Sequence, residues 1–522
     1  MVKAISIFVF SLFLNFSFLF ASQSQVENII NQMTLKEKIG HIMMVGVRGK
    51  KLSSESQKLL KNYPFGNFIL FSYNIENSKQ VEKLITDLKS TQKYPIYITT
   101  DQEGGDIIRI REKQFRIPSA MAIGATKDPN LAYEAAFHLG YQMKSIGFNL
   151  NLAPVLDINA QANLSVMGNR SFGRTPDEVA LMGNAFIKGL QEAGLSAAAK
   201  HFPGHGNSVG DSHKGLSRVP YSFEKFKKFD LIPFKKAIDQ GVDMLMTAHI
   251  TLPGDDLPVT LSQKYLVGLL RKELGFKGIV LSDDLEMSAI LDEEGIKKAA
   301  VDAFLAGNDI LMVAGQRKNQ LTVFDGLYQA VQDKKIPLKR LHESLTRILL
   351  TKYKREEAQV SSLRKPSSDF RKKIAEKSLT LISQKDSFKL IKDKNKKILV
   401  LSSQYPFFKE FKASFPQAEF QYLKDGMTSK LQKTLLETIS KKKYDFIVIG
   451  FEKESHVRFI NDLTPQVKIP VIALSFSTPY FSIPLKGVSA YLCAYDSHLE
   501  GIHTFISYLK GDFEIQNKIA SK

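Results

Sequence analysis

Acidic, basic and imidazole side chains gather in five short segments of this 522-residue sequence. Each segment follows a run of apolar residues that predicts a buried β-strand. The segments are DQEGG at 101–105, Asp157 with GNRSFG at 168–173, KHFPGHG at 200–206, His249, and Asp283-Asp284. Side chains of these types can bind a metal, exchange protons or supply a covalent nucleophile. Because the carboxyl ends of the strands of a parallel barrel meet at one rim, the spacing predicts a single site built from five strand ends.

Asp283 is the leading candidate for a nucleophile. It comes at the end of the apolar run Gly278–Ser282, so a rigid element would fix its position. A carboxylate can attack the anomeric carbon of a glycoside, while a second group protonates the leaving oxygen and later activates water. Asp284 could be the nucleophile instead, but side chains alternate along a strand, so only one of the two should face the pocket. We expect the other to cap a helix that begins at Leu285.

A histidine is the candidate for the proton-transfer partner. Asp211 precedes His213 by two residues in a segment rich in Gly and Ser. An Asp in this position can orient the imidazole and raise its proton affinity, so that the pair donates and reclaims a proton near neutral pH. On the chemistry alone, an incidental Asp and His in a surface loop is an equal alternative.

No metal or other cofactor is expected. His201, His205 and His213 are of the residue type that zinc prefers. The first two lie in a loop containing Pro and Gly rather than on one helix face, and Lys200 puts a cation where the metal would have to lie.

The elements that position these residues alternate between strand and helix. The strand candidates are His41–Val47, Gly66–Phe71, Tyr94–Thr100, Phe148–Val155, Leu195–Lys200, Val242–Ala248, Gly278–Ser282 and Asp309–Val313. The clearest helical segments are Asn130–Ile146, Pro176–Ala193, Ser222–Gln240 and Ser262–Leu274, and a C-capping glycine follows each of them at Gly147, Gly194, Gly241 or Gly275. Eight strand–helix units in series predict a (β/α)8 TIM-type barrel. A doubly wound open sheet is the structural alternative.

The chain is predicted to comprise four segments. They are a signal peptide at 1–22, a barrel at 23–355, a linker at 356–372, and a smaller α/β sandwich domain at 373–522. The strands of the sandwich are predicted at Ile398–Ser402, Ala418–Leu423, Phe446–Phe451, Pro470–Ser475 and Ala490–Ala494.

The first residues are typical of an export signal. Lys3 precedes the apolar run Ile5–Phe20, and the small residues Ala21 and Ser22 follow it. An uncleaved membrane anchor is the alternative. The sole cysteine, Cys493, lies far from this segment, so it cannot carry a lipid there and is expected in the core. We expect a periplasmic or secreted protein with no stable membrane insertion after cleavage.

The sequence is basic, with a formal net charge of +19. No nucleic-acid recognition motif accompanies the charge, so nucleic acid is not expected as a partner. The charge indicates a solvated basic surface, with attraction to an acidic cell-wall surface as a further interpretation.

Taken together, the strings DQEGG, GNRSFG, KHFPGHG, DSH at 211–213 and GFKGIVLSDDLEM at 275–287 resemble glycoside hydrolase family 3. They are most similar to its β-N-acetylglucosaminidase (β-hexosaminidase) branch, which is associated with peptidoglycan recycling. The similarity extends through residues 27 to 355, and the remainder is similar to the sandwich of the longer members. The resemblance implies hydrolysis of terminal non-reducing β-linked N-acetylglucosamine, with N-acetylglucosamine-containing saccharides or muropeptides as the substrates.

The resemblance also implies roles for individual residues. Asp283 would be the nucleophile, and His213 the general acid/base, oriented by Asp211. The sugar-binding positions would be Asp101, Arg109, Arg170, Lys200 and His201. The chain departs from the family at Asp106, where Arg is usual, and at Asn207-Ser208, where Asp-Thr is usual.

Three other functions stay open. A β-glucosidase or β-xylosidase is disfavoured by the Asp211–His213 pair, since those relatives generally take the acid/base from elsewhere. An N-acetylglucosaminide phosphorylase, which would use the same covalent intermediate, stays open because a neutral histidine does not repel the incoming phosphate as a carboxylate would. An inactive cell-wall sugar-binding protein is disfavoured by the presence of Asp283, Asp211 and His213 together.

Overall fold

A computed structural model of the chain describes residues 23–160, 167–209, 217–287, 295–356, 366–425 and 429–518. The predicted signal peptide at 1–22 lies outside the described residues, and so do Asp211 and His213. In the part of the chain that is described, no helix is long and apolar enough to cross a membrane.

Eight parallel strands form the first domain. They are β1 (Met43–Gly46), β2 (Asn67–Ile69), β3 (Tyr97–Thr99), β4 (Leu150–Asn151), β5 (Ser196–Phe202), β7 (Met244–Thr247), β9 (Ile279–Asp284) and β10 (Ile310–Val313). A separate short pair joins β6 (Ser217–Arg218) to β8 (Ile250–Thr251). The order in the large sheet is β3-β2-β1-β10-β9-β7-β5-β4.

Hydrogen bonds between the two outermost strands of that order close the sheet. The amide of Asn149 donates to the carbonyl of Ile98, and that of Leu152 donates to Thr100, both at 3.2 Å. The predicted barrel is therefore confirmed, and the open doubly wound sheet was the wrong alternative. All eight predicted strands are present. The longest predicted one, Phe148–Val155, is reduced to β4, since Pro154 has no N–H for the ladder.

Helices alternate with the strands and surround the barrel. They are α1 (residues 23–32), α2 (Leu35–His41), α3 (Ser54–Asn62), α4 (Ser78–Ser90), α5 (Ala120–Ala125), α6 (Pro129–Ser145), α7 (Pro176–Glu192), α8 (Phe223–Lys227), α9 (Ile232–Asp239), a π-type helix (Lys264–Glu273), α10 (Gly295–Ala306), α11 (Arg317–Gln332) and α12 (Leu338–Glu356). The predicted C-capping glycines at 147, 194, 241 and 275 all have positive φ, between 68° and 96°. Thr175 forms a capping box at the start of α7.

Two local predictions were wrong. The helix expected at Ser222–Gln240 is two helices, α8 and α9, because Pro233 has no N–H and its ring disfavours continuation from the preceding turn. Residues 285–287 form a turn rather than the start of a helix. Most of the segment predicted as a linker, residues 357–365, lies outside the described residues; α12 ends at Glu356 before it, and the next helix begins at Phe370 after it.

The second domain is a three-layer sandwich. Its strands are β11 (Thr380–Gln384), β12 (Ile398–Ser402), β13 (Glu419–Tyr422), β14 (Phe446–Phe451), β15 (Val471–Ser475), β16 (Ala490–Cys493) and β17 (Asn517–Lys518), in the order β13-β12-β14-β15-β16-β11-β17. Its helices are α13 (Phe370–Ser378), α14 (Tyr405–Ser414), α15 (Ser429–Lys442), α16 (Glu454–Leu463) and α17 (Leu499–Lys510). Separate apolar clusters cover the two faces of the sheet.

The five mutually parallel strands of the sandwich, β12 to β16, were predicted from the sequence, whereas β11 and β17 were not. β11 runs antiparallel to β16, and only its first residue, Thr380, is buried. Its polar outer half lacks the continuous apolar run that marks a strand buried on both faces. Cys493 is fully buried at the end of β16, as predicted.

Candidate active site

The predicted chemical residues lie at the carboxyl ends of the barrel strands. Asp101 follows β3, His249 follows β7, and Asp283 is the second-last residue of β9. Lys200 and His201 lie near the end of β5. Parallel strands direct these ends to the same rim, so residues about 180 positions apart in sequence share one site.

Lys200 joins the predicted sugar-binding residues into one network. Its Nζ lies 2.9 Å from Asp101 Oδ1 and 2.7 Å from Glu103 Oε1. Arg170 holds the same Glu103 carboxylate through two bonds of 2.8 Å, and Arg109 Nη2 lies 3.4 Å from Asp101 Oδ2. Two acids thus alternate with three cations, which fixes all five side chains relative to one another.

The members of this network differ in how far their side chains are exposed, and this difference indicates which of them can contact a ligand. The side chains of Lys200 and Glu103 are 3% and 6% exposed, whereas those of Asp101 and Arg109 are 16% and 26% exposed. The two exposed groups can therefore reach a ligand, while the buried pair holds them in place. Burial by itself raises the pKa of Glu103, but Arg170 and Lys200 hold that pKa well below its ordinary value, so the group stays ionised.

Asp157 organises the loop that follows β5. Its carboxylate accepts a 2.6 Å hydrogen bond from Nδ1 of His201 and another of 2.6 Å from the amide of His205. A carboxylate can only accept, so the His201 ring carries its proton on Nδ1 and leaves Nε2 for a ligand. Burial raises the pKa of Asp157, yet the imidazoles of His201 and His205 lower it by more, and its net pKa is below the ordinary value.

Asp283 and Asp284 differ in their electrostatic surroundings. Enclosure in the barrel raises the pKa of Asp283, but the imidazoles of His249 and His201, the Asp284 N–H and Lys200 lower it by more. Asp283 is therefore ionised near neutral pH, as a nucleophile must be. Burial raises the pKa of Asp284 to about 6.

The Asp284 side chain accepts hydrogen bonds from the backbone. Its Oδ1 accepts from the amides of Glu286 at 3.1 Å and Ala314 at 3.3 Å, so it joins the turn after β9 to the end of β10. Its carbonyl lies 3.0 Å from Nε2 of His249, which contacts Thr260 through its other ring nitrogen. The carboxyl predicted to cap a helix instead caps a turn.

Three structural contributors received no role in the sequence analysis. Glu103, Asp157 and His249 lie within the motifs or at the predicted strand ends, but nothing in their local sequence shows what they contact. Their partners come from other strands, and only closure of the barrel brings them together. Among the described residues, no group of three or more His, Cys, Asp or Glu side chains could hold a metal ion.

The rim of the site also touches the second domain. Asn169, next to Arg170, donates to Asp106 Oδ2 at 3.0 Å and to the carbonyl of Tyr495 at 3.1 Å. The amide of Ser119 donates to Asp496 Oδ2 at 2.7 Å. The sandwich therefore packs against the same end of the barrel that carries the predicted active-site residues.

Known proteins share both the sequence and the architecture. The family model for the glycosyl hydrolase family 3 N terminal domain matches residues 34–351. Beta-hexosaminidase A of Pseudoalteromonas piscicida is 34% identical over 339 residues, which cover 59% of this chain and 57% of that protein. The chain thus spans little more than half of that relative.

Two further relatives are matched over most of their length. A beta-hexosaminidase of Tolumonas auensis is 34% identical over 289 residues, covering 55% of this chain and 86% of that protein. The structure of a glycoside hydrolase family 3 beta-N-acetylglucosaminidase from Paenibacillus sp. str. FPU-7 has a TM-score of 0.86 at 31% identity. The match covers 93% of this chain and 98% of the Paenibacillus chain.

The chain belongs to glycosyl hydrolase family 3, because the family model spans more than half of it. These relatives confirm the resemblance to the β-N-acetylglucosaminidase branch that the sequence motifs carried. The similarity to the Paenibacillus structure includes both the barrel and the sandwich of this chain, since it covers 93% of the chain.

Proposed function

We propose that this chain is a retaining exo-β-N-acetylglucosaminidase that removes terminal non-reducing N-acetylglucosamine from peptidoglycan fragments. The observation that carries the proposal is the ionised Asp283 at the end of β9, beside the network of Asp101, Arg109, Arg170 and Lys200. Relatives named beta-hexosaminidase and beta-N-acetylglucosaminidase support the sugar.

In the proposed mechanism, a carboxylate oxygen of Asp283 attacks the anomeric carbon. The bond to the leaving oxygen breaks, and His213 donates the proton that this oxygen takes up. In the second step His213 removes a proton from water, the water oxygen attacks the anomeric carbon, and the ester bond to Asp283 breaks. Asp211 orients the imidazole in both steps.

The Asp101–Arg109 side of the network would bind the sugar hydroxyls. Both side chains are partly exposed, and both are held by charged partners before the substrate arrives. Such preorganisation favours binding, since little side-chain entropy is lost on association. His201 would present its free Nε2 to another hydroxyl.

The cell-wall substrate and the cellular location rest on the sequence. The apolar run Ile5–Phe20 supports export, and the net charge of +19 supports attraction to an acidic polymer. N-terminal sequencing of the natural protein tests the export proposal: we expect a mature chain that begins after residue 22 and is recovered outside the cytoplasm.

Substitution of the two adjacent carboxyls tests the mechanism. Asp283→Asn should lower kcat on a chromogenic N-acetylglucosaminide by about 10³-fold or more, because removal of a covalent nucleophile typically costs several orders of magnitude. Asp284→Asn is the matched control and should retain activity within about tenfold, since an amide oxygen can still accept the two backbone N–H groups.

Three results would contradict the proposal. Loss of activity in Asp284→Asn alone would make that residue the nucleophile. Absence of turnover by the wild type would exclude the hydrolase. Release of a sugar 1-phosphate only when inorganic phosphate is present would identify a phosphorylase.

A further inference from the structure

A cleft of about 450 Å³ lies between the two domains, close to the sugar-binding network. One wall comes from the barrel loop after β3, residues 105–116. The other comes from residues 404–407 and 496–502 of the sandwich. Its volume is within the range of small-molecule sites.

The sandwich contributes the positive ends of two helices. α14 begins after Gln404 and α17 after His498, and neither N-cap residue accepts a hydrogen bond from its helix through the side chain. The first amides of a helix carry partial positive charge, which favours an anion in the cleft. The effect is reduced at both ends, because Pro406 supplies no amide N–H to α14 and Glu500 already places a carboxylate in the first turn of α17. Gln404 also lies at the point where the strand order of the sandwich reverses, between β12 and β14. Open α/β sheets bind ligands at that point.

His498 adds a polar atom without a partner. Its Nδ1 lies 3.1 Å from Asp496 Oδ1, and its Nε2 is buried with no hydrogen-bond partner in the described part of the chain. Burial lowers the pKa of this imidazole, but Asp496 and Glu500 raise it by more. The ring therefore takes up a proton more readily than an ordinary histidine does.

The barrel wall supplies three exposed cations, Arg111, Lys113 and Arg116. Within the described ranges, none of the three forms an ion pair. The guanidinium of Arg371 in α13 donates to the carbonyls of Arg116 at 2.8 Å and Lys113 at 3.1 Å. This contact fixes the backbone that carries the cations and adds a fourth positive charge to the cleft.

Two of the three acidic groups of the cleft, Asp106 and Asp496, accept hydrogen bonds. Asp496 accepts from the Ser119 amide and contacts His498, and Asp106 accepts from Asn169. Glu500 is close enough to Arg371 to raise the pKa of that guanidinium, although burial lowers it overall. The charges left for a ligand are therefore mainly positive.

The cleft begins within a few residues of the sugar-binding network. Asp106 lines it, and Asn169 joins Asp106 to Arg170, which holds Glu103. A substrate whose terminal sugar lies on that network can extend its leaving group toward the cleft.

We propose that this interdomain cleft binds the carboxylates of a peptide carried by the leaving sugar. The proposal rests on the proposed function, because the carboxylates of a peptide come near the cleft only when the leaving sugar that carries it lies next to the hydrolysed bond. The cations Arg111 and Lys113 contact the carboxylates, and the ends of α14 and α17 receive the peptide. The sandwich thus contributes to substrate selection.

A double charge reversal tests the cleft. Arg111→Glu/Lys113→Glu should raise KM about tenfold on an N-acetylglucosaminyl-muramyl peptide with free carboxylates. KM should change less than twofold on the same substrate with amidated carboxylates, and on a neutral chromogenic N-acetylglucosaminide. Lys335→Glu, an exposed reversal between α11 and α12, is the matched control and should leave all three KM values unchanged.

Three outcomes separate this proposal from its rivals. An equal rise of KM on all three substrates would overturn it, since the cations would then affect the sugar site. If the double variant loses a melting-temperature rise caused by inorganic phosphate while all KM values stay unchanged, the cleft binds a free anion and the proposal is overturned. Failure of the wild type on the chromogenic substrate would instead reject the proposed hydrolase itself.

Discussion

Asp283 and Asp284 are adjacent in the chain, yet their surroundings shift the pKa values of the two carboxyl groups in opposite directions. Basic groups from β5 and from the segment after β7 hold Asp283 ionised, whereas burial raises the pKa of Asp284 to about 6. Asp284 accepts hydrogen bonds from one backbone amide in the turn after β9 and from one just after β10. At the residue scale, it is neighbours from distant strands that give Asp283 and Asp284 different pKa values, and so suit one to reaction and the other to a structural contact.

The proposed proton-transfer residue makes a kinetic prediction. His213→Ala should lower kcat by about 10²–10⁴-fold on a substrate with a poor leaving group, because departure then needs a proton. With a nitrophenyl leaving group the first step should survive, and a burst of product should precede slow turnover. Stopped-flow measurement of both substrates checks this. His503→Ala, an exposed histidine of the sandwich, is the control. An equal loss on both substrates, with no burst, would count against the role.

At the scale of elements, the loop after β5 depends on a residue from the preceding strand–loop unit. Asp157 accepts from the His201 ring and from two backbone amides in residues 201–205. Both segments are recognisable in the sequence, because each follows an apolar run. The contact between them is not, since a separation of more than 40 residues hides the pairing. The capping glycines were easier to predict, because each acts on its own helix.

Removal of the Asp157 charge should affect both stability and activity. Asp157→Asn leaves a buried donor unsatisfied, so the free energy of unfolding should fall by about 1–3 kcal/mol. The value of kcat/KM should fall by roughly 100-fold, because a misplaced His201 no longer positions the sugar for reaction. Urea unfolding and steady-state kinetics check the two effects. Asp177→Asn, at the exposed first turn of α7, should change stability by less than about 1 kcal/mol. An Asp157→Asn variant as stable and active as the wild type would refute this account.

At the scale of the whole molecule, Asp309 connects the last helix of the barrel domain, α12, to the π-type helix and to β9. Its carboxylate contacts Arg271 at 2.6 Å, Arg340 at 3.3 Å and Arg347 at 3.0 Å. It also accepts from the amide of Val280 in β9. Burial raises the pKa of Asp309, but the three guanidinium groups lower it by more, so the net pKa is below the ordinary value.

This depressed pKa predicts a loss of stability in acid. A lowered folded-state pKa means that the contribution is fully present above the unfolded value of about 4, and is lost as pH falls through the folded value. Asp309→Asn should lower the free energy of unfolding at pH 7 by about 3–5 kcal/mol, because three partly buried cations lose the fully buried carboxylate that they share. The variant should also lose less stability than the wild type between pH 5 and pH 3.

Urea unfolding at several pH values checks this prediction. Asp302→Asn removes one exposed pair with Lys298 and should change stability by less than about 1 kcal/mol. Equal slopes of stability against pH in Asp309→Asn and the wild type would show that other carboxyls govern the acid response.

The sequence by itself determined the fold class, the order of the strands along the chain and the segments that carry chemistry. These follow from local patterns: apolar runs, capping residues and polar residues at strand ends. Tertiary structure decided what each polar residue contacts. Glu103 became the partner of Arg170 and Lys200, and Asp284 became a turn cap instead of a helix cap. The interdomain cleft also required the folded molecule, since its walls lie some 300 residues apart in sequence. The physical reason is that hydrogen bonds and ion pairs depend on distances between atoms, and only closure of the barrel and docking of the sandwich set those distances.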